Sequence, residues 1–244
     1  MSASVAVVTT VWRANLTPDE VLRSHLTRAS SADWDHLLLH PEGLDVSEMQ
    51  EQVAGWDVRS APPHHFQDVQ AYNTWALTPE FWSQFTDYTH ILIRELDAVL
   101  VHRPPDSVLG FDYLGAPWEP PWRVVIARGQ MRIIRVFGRA WGRTLLVGNG
   151  GLSFRNVAAF REAATRLSGF ADARVLGSTH EDAVWSYYSR RLGLRLAPVE
   201  ASRIFLDLRE DQSVDFDSVY GVHGLKESMV QANASLRTWA ATRA

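Results

Sequence analysis

The chain has 244 residues, 46% of them hydrophobic, a formal net charge of -4 and no cysteine. That length sustains one large domain with a sizeable core, and no internal repeat divides it. The mild acidity gives no electrostatic footprint for nucleic acid or an anionic membrane, and the missing thiols exclude disulfide frameworks, thiolate metal sites and cysteine nucleophiles, leaving His, Asp and Glu as ligands or bases.

Val5 to Thr10 is a β-branched run predicted as a strand, and the following LTPDEVLRSHL reads as a helix with Thr17 as cap and Pro18 as its first residue. The opening MSASVAVVTTVW lacks a basic region before a sustained apolar run, and no segment reaches the about 18 apolar residues of a membrane span, so a soluble, cytoplasmic protein is expected. Trp34 to His40 and Gly55 to Arg59 are predicted as two further strands, the second followed by a proline-rich turn at Ala61 to Pro63. From Phe66 to Phe85, Val69, Tyr72, Trp75 and Ala76 share a helix face, and Pro79 opens a second short helix behind Thr78. His90 to Leu96 has the composition of a buried parallel strand whose carboxyl end delivers Glu95 and Asp97. In open α/β sheets ligands bind at that end.

Six arginines and no acid lie between Arg123 and Arg143, in a stretch predicted as a hairpin turning near Gly129. They form either its solvated side or a cradle for an anionic acceptor or phosphates. Leu145 to Val147 leads into Gly148-Asn149-Gly150-Gly151, then Leu152 to Phe154 and a helix from about Asn156 to Leu167. The glycine cluster matches neither a P-loop nor the dinucleotide fingerprint; it permits either close approach to a ligand or a sharp turn. Glu181 to Leu192 is predicted as a helix, Leu194 to Pro198 and Ile204 to Leu208 as late strands, and Glu227 to Arg243 as a terminal helix. Alternating elements predict a mixed, mostly parallel α/β sheet with helices on both faces.

Strand alternation would place Glu95 and Asp97 on one face, where they either hold a divalent cation or cap the next turn. His223, between Val222 and Gly224, is a structural histidine or a ligand completing that site. Glu181 and Asp182 open a helix, where they cap it or supply a general base. Trp118, Trp122 and Trp141 are candidates for stacking on sugar faces, although most of the ten tryptophans must serve packing.

The order of these blocks, ILIRELDAVL, DYLGAPW, GNGGLS, HEDAVW and GVHG, resembles a bacterial domain-of-unknown-function family of GT-A-like (Rossmann-like) glycosyltransferases, over about Tyr72 to Gly224, and is distantly similar to the β-1,4-galactosyltransferase group. The resemblance implies a single GT-A-like domain over residues 1–244, with a nucleotide-binding half (1–110) and an acceptor-binding half (111–244). It implies Mn²⁺ or Mg²⁺ held by Asp97 and His223, with Glu95 in the place of the first acid of a degenerate DxD motif. Thr9, Thr10, Arg13, Asn73, Glu95, Gly150 and Gly151 are the expected nucleotide-sugar contacts. Asp182 is the expected base and Glu181 a donor-sugar contact with a catalytic part. The implied reaction is inverting transfer from a nucleotide-sugar, a UDP-sugar being the expected donor, to a hydroxyl-bearing acceptor, an anionic one included, in natural-product or glycan biosynthesis. A retaining transferase, a non-catalytic nucleotide-sugar binder and a nucleotide-sugar hydrolase stay open as alternatives.

Overall fold

The computed structural model describes residues 4–127, 130–134, 142–169, 180–210 and 212–243. Its main sheet contains β1 (Val5–Thr10), β2 (Asp35–Pro41), β3 (Asp57–Ala61), β4 (His90–Arg94), β6 (Tyr113–Gly115) and β10 (Leu152–Asn156), in the order β3-β2-β1-β4-β10-β6. The pairs β3-β2, β2-β1 and β1-β4 are parallel, while β10 runs antiparallel to β4 and β6, so the predicted mixed, mostly parallel sheet is what the chain forms.

Period-two alternation divides the core between the faces of this sheet. Ala6, Val8, Ile91 and Ile93 pack on one side against α3 (Val69–Ala76), α4 (Pro79–Ser83), α5 (Val157–Leu167) and α6 (Glu181–Leu192). Trp82 sits at the centre of that layer, with ring centroids 4.5 Å from Phe160 and 6.2 Å from Trp185. Leu38, on the other face, packs with Val46 and Met49, the latter on α2 (Ser47–Gln52). Also on that face, α1 (Pro18–Ser30) buries Arg23, Ser24 and Thr27, and opens with the expected cap: Thr17 and Glu20 form a complete capping box.

A second sheet of three short strands lies beside the first. β5 (Val99–Leu100) pairs antiparallel with β12 (Gly221–His223), which pairs in parallel with β11 (Phe205–Asp207). The predicted strand at Leu194 to Pro198 reduces to a single bridge between Leu196 and Tyr113, because α7 (Val199–Ser202) begins directly after Pro198. The predicted hairpin is present as β7 (Pro117–Ala127) paired with β8 (Gln130–Ile134), and β9 (Arg143–Val147) pairs with the other edge of β7. Its turn at Gly129, together with Arg128, Arg135, Arg139 and Trp141, lies outside the described residues. The terminal helix, α8 (Val230–Ala241), starts three residues later than predicted. No helix among the described residues is long and apolar enough to cross a membrane.

Trp82 is fully buried and its indole nitrogen donates to the Ala76 carbonyl at 3.0 Å. Trp82→Ala is therefore expected to cost about 3–5 kcal/mol through lost burial and a residual cavity, measured as the shift in a urea unfolding transition.

Candidate active site

The turn that follows β4 carries Glu95 and Asp97. The strand ends at Arg94, so the two acids share a site because of this turn, rather than through strand alternation as their spacing suggested. Two buried guanidiniums hold the turn from behind: Arg23 Nε donates to the Leu96 carbonyl at 2.9 Å and Arg94 Nε to the Ala98 carbonyl at 3.0 Å, one on each side of Asp97. His223 arrives from the end of β12. Its Nε2 lies 3.3 Å from Glu95 Oε2 and 3.5 Å from Asp97 Oδ1, and its Nδ1 lies 2.9 Å from Asp207 Oδ1.

One ligand atom each from Glu95, Asp97 and His223 lie within 4.8 Å of one another, and this is the group of that kind among the described residues. Burial pushes the Asp97 carboxyl up. Burial pulls the His223 imidazole down, but its bonds to Asp207 and Glu95 and the charges of Glu95 and Asp97 outweigh it, leaving the ring well above the ordinary histidine range. Asp97 Oδ1 is buried without a hydrogen-bond partner. A donor set of two carboxylates and an imidazole, one oxygen of it orphaned, suits a divalent cation.

Gly150 and Gly151 form the wall behind this cluster. The Gly151 carbonyl accepts from Glu95 N at 2.8 Å, and a Cβ on Gly151 would stand 2.1 Å from His223 Nε2. A Cβ on Gly150 would meet Glu181 Oε1 at 2.9 Å and the Asp182 Cβ at 3.1 Å. Both glycines are required by close approach, one toward the metal-type cluster and the other toward the acids of α6.

Glu181 and Asp182 have different surroundings. Both oxygens of Glu181 are held by buried Arg155, at 2.8 and 2.6 Å, in a bidentate pair. Asp182 Oδ2 accepts from Gly150 N at 3.1 Å and Oδ1 from Ala183 N at 2.7 Å. Burial and, second, the adjacent Glu181 push its carboxyl up to about 7. The helix cap is His180, which makes no side-chain capping bond, so neither acid serves as the cap.

A cavity of about 520 Å³ opens along the carboxyl ends of β1 and β4, lined by Thr10, Trp12, Phe66, Tyr72, Asn73, Glu95 and Asp97 among others. Of the expected nucleotide contacts, Thr10, Asn73 and Glu95 line it. Thr9 does not: it is buried on the opposite face of β1 and accepts from Arg94 Nη1 at 3.3 Å. Arg13 does not either, although its guanidinium is held at 2.5 and 2.6 Å by Glu20, which is itself a lining residue. Trp118 is 1% exposed and cannot stack on a sugar, whereas half-buried Trp122 lies on top of it, 4.6 Å between centroids, and faces His180 at 5.4 Å. Arg155 and Asp207 escaped the reading of the sequence. Arg155 could have been found by alternation with Ser153 along β10, and Asp207 as another acid closing a short apolar run.

Residues 55–208 match a protein family described as of unknown function, DUF5672. The chain belongs to that family. The matched segment includes Glu95, Asp97, Gly150, Gly151, Glu181, Asp182 and Asp207, while His223 lies beyond it. No curated protein matches this DUF5672 chain. Its fold is similar to that of LgtC: an active-site mutant superposes with a TM-score of 0.58 at 10% identity, covering 97% of this chain and 95% of that one. A crystal structure of the galactosyltransferase LgtC in complex with donor and acceptor sugar analogues gives 0.57 at 11% identity, with the same coverage. The likeness establishes that this DUF5672 protein has a GT-A-like fold.

Replacing Glu181 by Gln leaves Arg155 buried without its counter-charge. The variant is expected to lose about 3–5 kcal/mol of stability, read from denaturant unfolding at neutral pH.

Proposed function

We propose that this DUF5672 protein is a metal-dependent glycosyltransferase that moves a sugar from a nucleotide-sugar, a UDP-sugar in the first instance, to an acceptor hydroxyl with inversion. The observation that carries this reading is the convergence of Glu95, Asp97 and His223 on one side of the Gly150-Gly151 turn and of Asp182 on the other. The cavity beside them has room for a nucleotide: Trp12, Phe66 and Tyr72 supply apolar and aromatic wall, and Thr10 and Asn73 polar atoms. The likeness to the β-1,4-galactosyltransferase group in motif order, and to LgtC in fold, supports sugar transfer by analogy, and bears neither on its stereochemistry nor on the metal.

Glu95, Asp97 and His223 are the residues that would hold the cation. An imidazole in the set favours Mn²⁺ over Mg²⁺, which prefers oxygen ligands. When bound, such an ion neutralises the negative charge of a departing nucleoside diphosphate. In the transfer, the acceptor oxygen forms its bond to the anomeric carbon as the bond from that carbon to the diphosphate oxygen breaks, and the acceptor proton passes to Asp182. Gly150 N and Ala183 N orient the Asp182 carboxylate, and its burial, followed by the charge of Glu181, keeps its affinity for a proton high enough for it to act as a base near neutral pH. The Arg155 pair holds Glu181 as a wall of the donor-sugar site. Of Trp118 and Trp122, half-buried Trp122 is the one available to an acceptor sugar.

A thermal-shift screen against UDP-, GDP-, TDP- and CMP-sugars, with and without Mn²⁺, is expected to raise the melting temperature for one nucleotide class only when the metal is present, and Asp97→Ala is expected to lose that shift. A metal-independent shift retained in Asp97→Ala would remove the metal reading, and binding without turnover on any acceptor would favour a non-catalytic binder.

Asp182→Asn is expected to keep the donor-dependent shift and to lose about 10²–10⁴-fold in turnover. Because the base must be ionised, wild-type kcat/KM should climb as pH rises through about 7 and level off above it. Full turnover by Asp182→Asn would end the base assignment, and a hydrolase would reveal itself by turnover without acceptor.

A further inference from the structure

The third carboxylate near His223 has no part in the ligand set. Asp207 ends β11 and His223 ends β12, and the parallel register pairs these two residues directly. The pairing is closed by a backbone bond of 2.9 Å from Leu208 N to the His223 carbonyl, so the two side chains leave their strands together. Asp207 Oδ1 lies 2.9 Å from His223 Nδ1, on the opposite edge of the ring from Nε2, which faces Glu95 and Asp97.

We propose that Asp207 is a positioning residue of the metal centre: it accepts the Nδ1 proton of His223, and so fixes the ring orientation and tautomer that turn the Nε2 lone pair toward Glu95 and Asp97. This rests on the metal-dependent reading above. An ionised carboxylate can only accept a hydrogen bond, so Nδ1 must be the protonated nitrogen and Nε2 the one free to ligate. The ring has little freedom to turn elsewhere, because Gly151 lies so near that a Cβ there would stand within 2.8 Å of Nε2, Cδ2 and Cε1. Carboxylate partners of ligating histidines act in this way: they orient the ring and raise its basicity, and their loss weakens the metal by about 10–100-fold. Asp207 is not itself a member of the cluster whose ligand atoms lie within 4.8 Å of one another.

The test is a Mn²⁺ titration of the full chain, followed by electron paramagnetic resonance, on wild type, Asp207→Ala, Asp207→Asn and His223→Ala. The metal-free melting temperature of each is recorded alongside. Asp207→Ala should bind Mn²⁺ about 10–100-fold more weakly. Asp207→Asn should fall between it and wild type, because the amide oxygen still accepts from Nδ1, and His223→Ala should lose most affinity. A purely structural role would lower the metal-free melting temperature without this graded loss, which would overturn the inference. Equal affinity in wild type and both Asp207 variants, with His223→Ala defective, would also overturn it, as would an Asn variant as impaired as Ala, the mark of a direct ligand. Should Asp207→Ala fail to fold, the near-isosteric Asn variant decides by the same intermediate loss. Absence of Mn²⁺ binding by wild type would remove the metal reading and this inference together, an outcome distinct from the others.

Discussion

The geometry of the candidate site depends on how closely the Gly150-Gly151 backbone approaches its neighbours. His223 occupies the space a Cβ on residue 151 would need, and Glu181 and Arg155 crowd the corresponding position on residue 150. Two side chains fewer bring a metal-type cluster and a protonatable carboxyl to opposite sides of one short turn. The same turn is tied to the cluster by the bond from Glu95 N to the Gly151 carbonyl, and to the helix acid by the bond from Gly150 N to Asp182. A shift in this turn would therefore move both halves of the candidate site together.

The small sheet supplies the other half of the geometry. β5 begins two residues after Asp97, β12 ends at His223 and β11 ends at Asp207, so hydrogen bonding among three very short strands gathers residues separated by more than a hundred positions. Leu225 N donates to the Asp97 carbonyl at 2.8 Å and extends this stitching past the strand ends. Such short strands have little stability of their own. They are held by the core beneath them, where Val99, Val101, Leu208, Phe216, Val222 and Leu225 pack together. The site geometry is thus tied to the packing of the C-terminal third of the chain.

How much of this could be read from the sequence varied with the range of the interaction involved. Local signals were legible: the Thr17 and Thr78 caps with their helices, and the apolar strands of the main sheet, form where propensity placed them, whereas the late run at Leu194 to Pro198 does not become a strand. Glu95 and Asp97 were identified as a pair, but for a reason the structure replaces, since a turn held by Arg23 and Arg94 brings them together. Thr9 and Thr10 could not both face one cavity, and period-two alternation on β1 already implies as much. Arg13 looked free because its partner, Glu20, lies seven positions away in the first turn of the next helix. Arg155 and Asp207 bond residues 26 and 16 positions away, so a local pattern could single them out but not name their partners.

The electrostatic arrangement explains why two adjacent acids on one helix behave differently. Glu181 is compensated by a buried, bidentate arginine, which satisfies its hydrogen-bonding capacity and removes most of the cost of burying it. Asp182 is buried with two backbone N–H donors and no arginine partner of this kind, and it sits beside the charge of Glu181, so burial first and that charge second disfavour its ionised form. One carboxylate is thereby fixed as structure and its neighbour is left poised to take up a proton. The Gly150 amide sets the boundary between these roles: it bonds the poised carboxylate, while its missing side chain leaves room for the paired one.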